Sequence, residues 1–415
     1  MTHLHPQRMR EAVLSAPTRH RIARLTRWHP GIREVPVDRL LLGGQHGMSA
    51  AQFATSYGDP LWPSRRIAQG PHVELLSRAD AGPLSDEEIL ASSYGRMAMA
   101  CIRHTGRYFA AADRAGILVQ ARQFLDRASG RSGAQVTGDH HSPPGLPVLV
   151  IPVADSDCLQ LLDGHHRVAQ LVRDGVATVP VRVRRGSVST PLQDLLREMS
   201  WLDGGRELYQ PVSSPELGSA WPTIRRCTDR LEAMRTFLSA RGLEGPGATY
   251  LDVASCYGWF VDQMHREGYA AEGMERDPLG AELGRLVYGL ERQRIRIGDA
   301  EALLGATDHR WDVVSCFSLL HHFVLGRGAC SAVELVQRLD SATRQVLFID
   351  TGQEHERWFR RSLQGWDTAH VAAFLRSHTT FDEVIDLGPD QDAVPPYEEN
   401  YGRHLFACVR ARPAL

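Results

Sequence analysis

Apolar residues along this 415-residue chain follow two periods, and their alternation marks its organisation. Tyr250-Leu-Asp-Val253 is a short continuous apolar run, ending in a turn of small residues. A helix-patterned stretch follows, and then a second apolar run, Tyr269–Glu275, that closes on a carboxylate. Strand, helix and strand in that order form a βαβ unit with a tight first turn. Trp311–Phe317 and Val346–Ile349 read as further strands, each a nearly unbroken apolar run. Phe381–Gly388 and His404–Arg410 read as two more. Before all of these, Ile224, Cys227, Leu231, Met234 and Leu238 recur at helical spacing, and the helix ends near Gly242.

The first half of the chain is patterned differently. Val35–Leu42 is a short strand. Ser85–Cys101 reads as one helix, with Ser85 as its cap and Asp86, Glu87 and Glu88 at the positive end of its dipole. Ile117–Leu125 is a second helix, and Ala128–Gly145 is a polar loop. Val148–Val153 and Leu159–Asp163 are strands, and a helix from His165 to Gly175 leads into the strand Val176–Val183. Gly, Pro and Ser concentrate in Trp201–Gly218, which reads as a linker. The expected division is 1–205 as one domain, 206–220 as the linker, and 221–415 as a second domain.

Composition narrows the classes. With 43% hydrophobic residues, 23% charged residues and a net charge of −2, the chain is globular. It offers no long-range attraction for nucleic acid. All 47 basic residues are arginine, so no Schiff-base or P-loop lysine is available. The seven cysteines are scattered without CxxC spacing, which points to a reducing cytoplasm and no structural zinc. No apolar stretch is long enough to span a membrane. Nothing in the sequence fixes an oligomeric state.

Asp252, Ala254, Cys256 and Gly258 resemble motif I of the class I S-adenosylmethionine (SAM)-dependent methyltransferases, with alanine and cysteine in place of two glycines. The resemblance implies a Rossmann-like α/β sheet closed by an antiparallel hairpin, with SAM as cofactor. It puts Glu275 on the ribose hydroxyls. Asp299 and Ala300 fall in the adenine loop, and Phe317 ends the strand beneath the transferable methyl. Open α/β sheets bind ligands beyond the carboxyl ends of their strands, so His321 and His322 are the candidate catalytic bases. Asp350, Glu354 and His355 fall on the same edge. Adjacent histidines chelate poorly, and no metal is expected.

A second constellation is Asp163-Gly164-His165-His166-Arg167, where two imidazoles and a guanidinium gather at a helix N-terminus. Such ends attract anions, and arginine grips phosphate with two donors. The string resembles the ParB/sulfiredoxin-like α+β fold, in particular members that phosphorylate free serine. That implies nucleotide or phosphate binding at all five residues, with ATP, ADP or another nucleotide as ligand. The function these readings favour is O-methylation of a small polar acceptor in biosynthesis: a saccharide, a sugar nucleotide or a natural-product scaffold. One alternative is a bifunctional enzyme whose first domain is a small-molecule kinase. Another is a DNA methyltransferase, but Val394 precedes Pro395-Pro396-Tyr397 where such enzymes need a polar acceptor.

Overall fold

The computed structural model describes residues 31–130, 147–199, 206–243, 245–395 and 397–411. Most of the polar loop expected at 128–145 and the first part of the expected linker lie outside them. The chain divides into two compact units, Met1–Val188 and Ser189–Leu415.

In the first unit, β1 (Ile32–Pro36), β2 (Leu40–Leu41), β3 (Val148–Pro152), β4 (Leu159–Asp163) and β5 (Thr178–Val183) form one mixed sheet. Its order is β1-β5-β3-β4-β2. Helices α1 (Ala50–Tyr57), α2 (Pro71–Ala81), α3 (Asp86–Ala91), α4 (Ser93–Thr105) and α5 (Arg114–Ala128) come between β2 and β3. Helix α6 (His165–Arg173) joins β4 to β5. Leu40, Phe53, Leu75, Met97, Val150 and Val168 belong to its buried core.

The single helix expected over 85–101 is two. Ser85 caps the helix as the sequence suggested, in a capping box with Glu88, but Ser92 is extended and caps a second helix by accepting the Gly95 N–H. A Cβ on Gly95 would lie 2.4 Å from the Leu90 carbonyl oxygen, so only glycine permits this break. The strand expected over 35–42 is likewise two short strands separated by a 3₁₀ turn.

The second unit opens with α7 (Pro191–Met199) and α8 (Thr228–Ala240). Its sheet comprises β6 (Thr249–Val253), β7 (Ala270–Glu275), β8 (Ile295–Ile297), β9 (Trp311–Cys316), β10 (Thr343–Ile349), β11 (Glu383–Pro389) and β12 (His404–Val409). The spatial order is β11-β12-β10-β9-β6-β7-β8. The pairings among β8, β7, β6, β9 and β10 are parallel, while β12 runs antiparallel to both β10 and β11. This is the Rossmann-like sheet with a closing antiparallel pair that the sequence implied. Tyr250, Leu251 and Val253 are fully buried, as suits a strand covered on both faces. Helices α9 (Trp259–Arg266), α10 (Pro278–Tyr288), α11 (Ala300–Gly305), α12 (Leu320–Val324), α13 (Ala332–Ala342) and α14 (Thr368–His378) complete the layers. No helix of the described residues is long and apolar enough to cross a membrane.

The boundary between units falls ahead of the expected one, and residues 206–220 are not a linker. Leu208 pairs with Thr223, the Tyr288 hydroxyl donates to the Pro211 carbonyl at 2.6 Å, and Glu216 is buried beside Thr190. A segment fixed by side-chain contacts at several points belongs to the fold of the second unit.

Candidate functional site

The chain leaves β6 for β7 and β8 on one side and returns to β9 and β10 on the other, so the switch point lies at the carboxyl ends of β6 and β9. A small crevice, open at its mouth, sits there. Its walls include Asp252 and Ala254 after β6, Phe317 and Ser318 after β9, and Tyr209, Gln210, Arg225 and Arg230 from the N-terminal segment of the unit. Ligands of open α/β sheets bind at such points.

The turn after β6 alternates in handedness. Ala254, Cys256 and Gly258 have φ of 61°, 55° and 79°. All three positions where the motif usually carries glycine are therefore left-handed, although two hold side chains. Left-handed backbone costs an L-residue roughly 1–2 kcal/mol. At Gly258 a Cβ would lie 2.7 Å from Ile295 Cδ1 and 2.8 Å from Leu290 Cδ1, so a larger residue there must displace both side-chain ends as well as accept the left-handed backbone. Ala254→Gly should stabilise the protein by about 0.5–1 kcal/mol, strain relief exceeding the extra chain entropy of glycine. A lower melting temperature in thermal unfolding would contradict the positive φ.

Glu275 braces that turn from the end of β7. Its Oε2 accepts the Cys256 N–H and its Oε1 the Asp277 N–H, both at 2.8 Å. The Arg276 backbone adds a further donor, and a carboxylate with about four acceptor sites keeps capacity beyond these three. Burial raises the Glu275 pKa, and these backbone donors oppose the rise. The Gly298 N–H bonds the Glu275 carbonyl at 2.9 Å, which ties the segment bearing the exposed Asp299 and the half-buried Ala300 to the end of β7. Asp252 is buried and accepts the Ser315 hydroxyl at 2.6 Å. Burial pushes its pKa up to about 7, against the pull of that hydroxyl.

Sequence reasoning missed Gln210. Its Oε1 accepts the N–H groups of Tyr257 and Trp259 at 3.0 and 3.2 Å, and its Nε2 donates to the Ser255 carbonyl at 3.2 Å. One amide thus satisfies three backbone groups of the cofactor turn. Tyr257 and Trp259 are themselves buried, and Asp312 is structural, accepting the Thr249 N–H at 2.8 Å.

A buried ionic cluster closes the other side of the crevice. Arg225 and Arg403 both donate to Ser318 Oγ, at 2.8 and 2.7 Å. Ser318 has φ 57°, and its N–H donates to Asp350 Oδ1 at 2.7 Å. Arg230 Nε reaches Asp350 Oδ2 at 2.9 Å, Arg225 pairs with Asp390, and Arg403 grips Glu356 through two bonds of 2.9 and 2.8 Å. Burial alone would raise the Asp350 pKa; Arg230, Arg225 and Arg403 outweigh it and hold the carboxyl well below its usual range. Asp350 is therefore a fixed anion. Glu354 accepts the Gly365 N–H, and the His355 Nε2 lies 3.0 Å from the Tyr401 carbonyl oxygen.

The histidine pair splits. His321 is buried, accepts the Gly352 N–H on Nδ1 at 3.2 Å, and packs 4.7 Å from the Phe359 ring. Burial first, then Arg403 and His322, push its pKa down to about 2. His322 is half-buried, and burial followed by Arg327 lowers its pKa. Both are neutral near pH 7. Neither is among the described residues lining the crevice.

In the first unit the five residues of the Asp163–Arg167 string fall into two sets. Gly164, at φ 102°, precedes α6, and Arg167 Nη2 pairs with Asp163 Oδ2 at 3.1 Å near the surface. The imidazoles point inward. His165 Nε2 accepts the Gly43 N–H at 3.2 Å, and burial pushes its pKa down to about 4. His166 Nε2 lies 2.9 Å from the Tyr94 hydroxyl, with its ring 4.5 Å from both His72 and Phe124. Among the described residues no group of three or more His, Cys, Asp or Glu is arranged to hold a metal ion.

No family model matches the chain, and no curated protein matches it. Solved structures do. One is a complex of WbdD with a kinase inhibitor, at 19% identity and a TM-score of 0.43, the match covering 54% of this chain and 48% of that one. Another structure of that protein describes it as a bifunctional kinase-methyltransferase. Magnesium protoporphyrin IX methyltransferase from Synechocystis PCC 6803, with bound SAM, matches at 17% identity and a TM-score of 0.33, over 44% of this chain and 79% of that one. The match spans about half the length of the first of these structures. At these scores the likenesses carry no functional argument; the class of fold rests on the strand order described above.

Proposed function

We propose that the second unit is a SAM-dependent methyltransferase that methylates an oxygen of a small polar acceptor. The observation that carries this reading is the position of the Glu275 carboxylate, bonded to the left-handed turn at the switch point of the sheet. The residues present fit the cofactor. Small side chains at 254 and 256 let backbone approach a ligand. The remaining acceptor capacity of the Glu275 carboxylate suits vicinal ribose hydroxyls, and Asp299 and Ala300 follow β8 for the base.

Bound SAM supplies a methyl group already activated by its sulfonium. The chain's own task is to position the acceptor and take up its proton. Gln210 holds the turn, and the arginine–carboxylate cluster fixes Ser318 at the far wall. His322, the more exposed of the two neutral imidazoles, is the proposed base, acting from outside the described residues that line the crevice. The first unit enters this reading as a nucleotide- or phosphate-binding domain, with Arg167 and the N-terminus of α6 as the anion contact.

The test is to incubate the protein with methyl-labelled SAM and fractionated cell extract, then identify the labelled product by mass spectrometry. Label in a small hydroxylated metabolite is expected. Label in DNA, or duplex binding with a steep salt slope, would overturn the acceptor class.

A further inference from the structure

We propose that the loop joining β10 to α14 holds the acceptor at the surface, one ring and one guanidinium removed from the crevice wall, and that it takes a sugar ring carrying an anionic group. The inference rests on the methyltransferase reading and gives its acceptor a chemical class. Five large hydrophobic side chains are exposed among the described residues, and Trp358, at 46%, is the aromatic one. Single exposed apolar residues are ordinary. This one is distinguished by what it connects to.

Trp358 and Phe359 face opposite ways. Phe359 turns in against His321, while the Trp358 ring lies 5.8 Å from Tyr401 and 6.2 Å from Tyr397. Tyr401 is buried and carries the Arg225 and Arg403 guanidiniums 4.9 and 5.0 Å from its ring. Arg225 lines the crevice. A line of ring contacts therefore runs from solvent to the wall where Ser318 is held. Tyr401 meets the indole edge-on, at 79°, which fixes the ring while part of it stays in solvent.

Three exposed arginines flank the indole: Arg357, Arg360 and Arg361. No ion pair among the described residues engages their side chains. The turn opposite is fixed to the loop through the Arg357 N–H and the Glu399 carbonyl, 3.0 Å apart, and exposes the Glu398 and Glu399 carboxylates. An aromatic plate, carboxylates that accept hydroxyl protons, and guanidinium forks that grip an oxyanion are together the groups that hold a sugar phosphate. A single nucleic acid strand would also stack on an indole. The two glutamates and the overall charge of −2 oppose a polyanion.

Saturation-transfer NMR on the whole chain tests this, with glucose 1-phosphate, glucose and a short oligothymidylate as probes. Glucose 1-phosphate is expected to bind, more tightly than glucose. Trp358→Ala should weaken it by about tenfold, the loss of one stacked ring, and Trp358→Phe should recover most of that. Arg360→Gln with Arg361→Gln should reduce glucose 1-phosphate binding and leave glucose unchanged. Undiminished binding in Trp358→Ala, no sugar phosphate binding at all, or tighter binding of the oligothymidylate would each overturn the proposal. SAM titrations on the same variants keep the two readings apart. Normal SAM affinity with no sugar phosphate binding defeats the loop assignment alone. Sugar phosphate binding without SAM binding defeats the methyltransferase reading and removes the premise of this one.

Discussion

Arg403→Met should lower the stability of the second unit by about 3–5 kcal/mol, the cost of leaving a buried charge without its partner. Arg403 and Glu356 are 2% and 0% exposed, and the pair is joined through two hydrogen bonds. Removing the guanidinium strands the Glu356 carboxylate and takes one of two arginine donors from Ser318. The change is large because water cannot replace what is lost. For a unit of this size it corresponds to a fall in melting temperature of roughly 10 °C, measurable by calorimetry. The double variant Arg403→Met, Glu356→Met should recover most of the loss, since replacing both partners by apolar groups of similar volume is often neutral. A single variant costing less than about 1 kcal/mol would match a solvated surface pair and contradict the burial of Arg403 and Glu356.

How much of this could be read in advance depended on the range of the interaction. The parallel strands were legible because a strand covered on both faces is a nearly unbroken apolar run. Tyr250–Val253 and Val346–Ile349 were found for that reason. The break at Ser92 was not, because helical spacing continues through it, and only the clash of a Cβ at Gly95 with Leu90 reveals the bend. Gln210 gave no local signal: one amide in a stretch rich in Gly, Pro and Ser reads as linker until its partners, 45 to 49 residues on, are known. The ionic cluster is hidden in the same way, since Arg225 meets Asp350 and Asp390 across 125 and 165 positions. Asp350 could be placed on the ligand edge, but not its partners. His321 and His322 are equivalent in sequence. Burial separates them, and burial is a property of the fold.

Replacing Glu275 should weaken SAM binding more than any other single change at the crevice. Its carboxylate would accept two ribose hydroxyls while bracing Cys256, so Glu275→Ala removes both direct contacts and the support of the turn. Hydrogen bonds to a charged acceptor contribute roughly 1.5–3 kcal/mol each, so a loss of roughly 100-fold or more in affinity is expected. Glu275→Gln keeps one acceptor oxygen and should lie between, near tenfold. Gln210→Leu acts only through the turn and should also fall near tenfold, because its three backbone partners are buried and must find water or move. The contact is with the sugar and not the sulfonium, so S-adenosylhomocysteine should lose affinity by the same factor as SAM in each variant. Isothermal titration with both ligands measures this, and a thermal scan of each variant confirms that it is folded. Affinity unchanged within about twofold in folded Glu275→Ala would mean that the ribose lies elsewhere. A loss confined to SAM would place the carboxylate near the methyl group instead of the sugar.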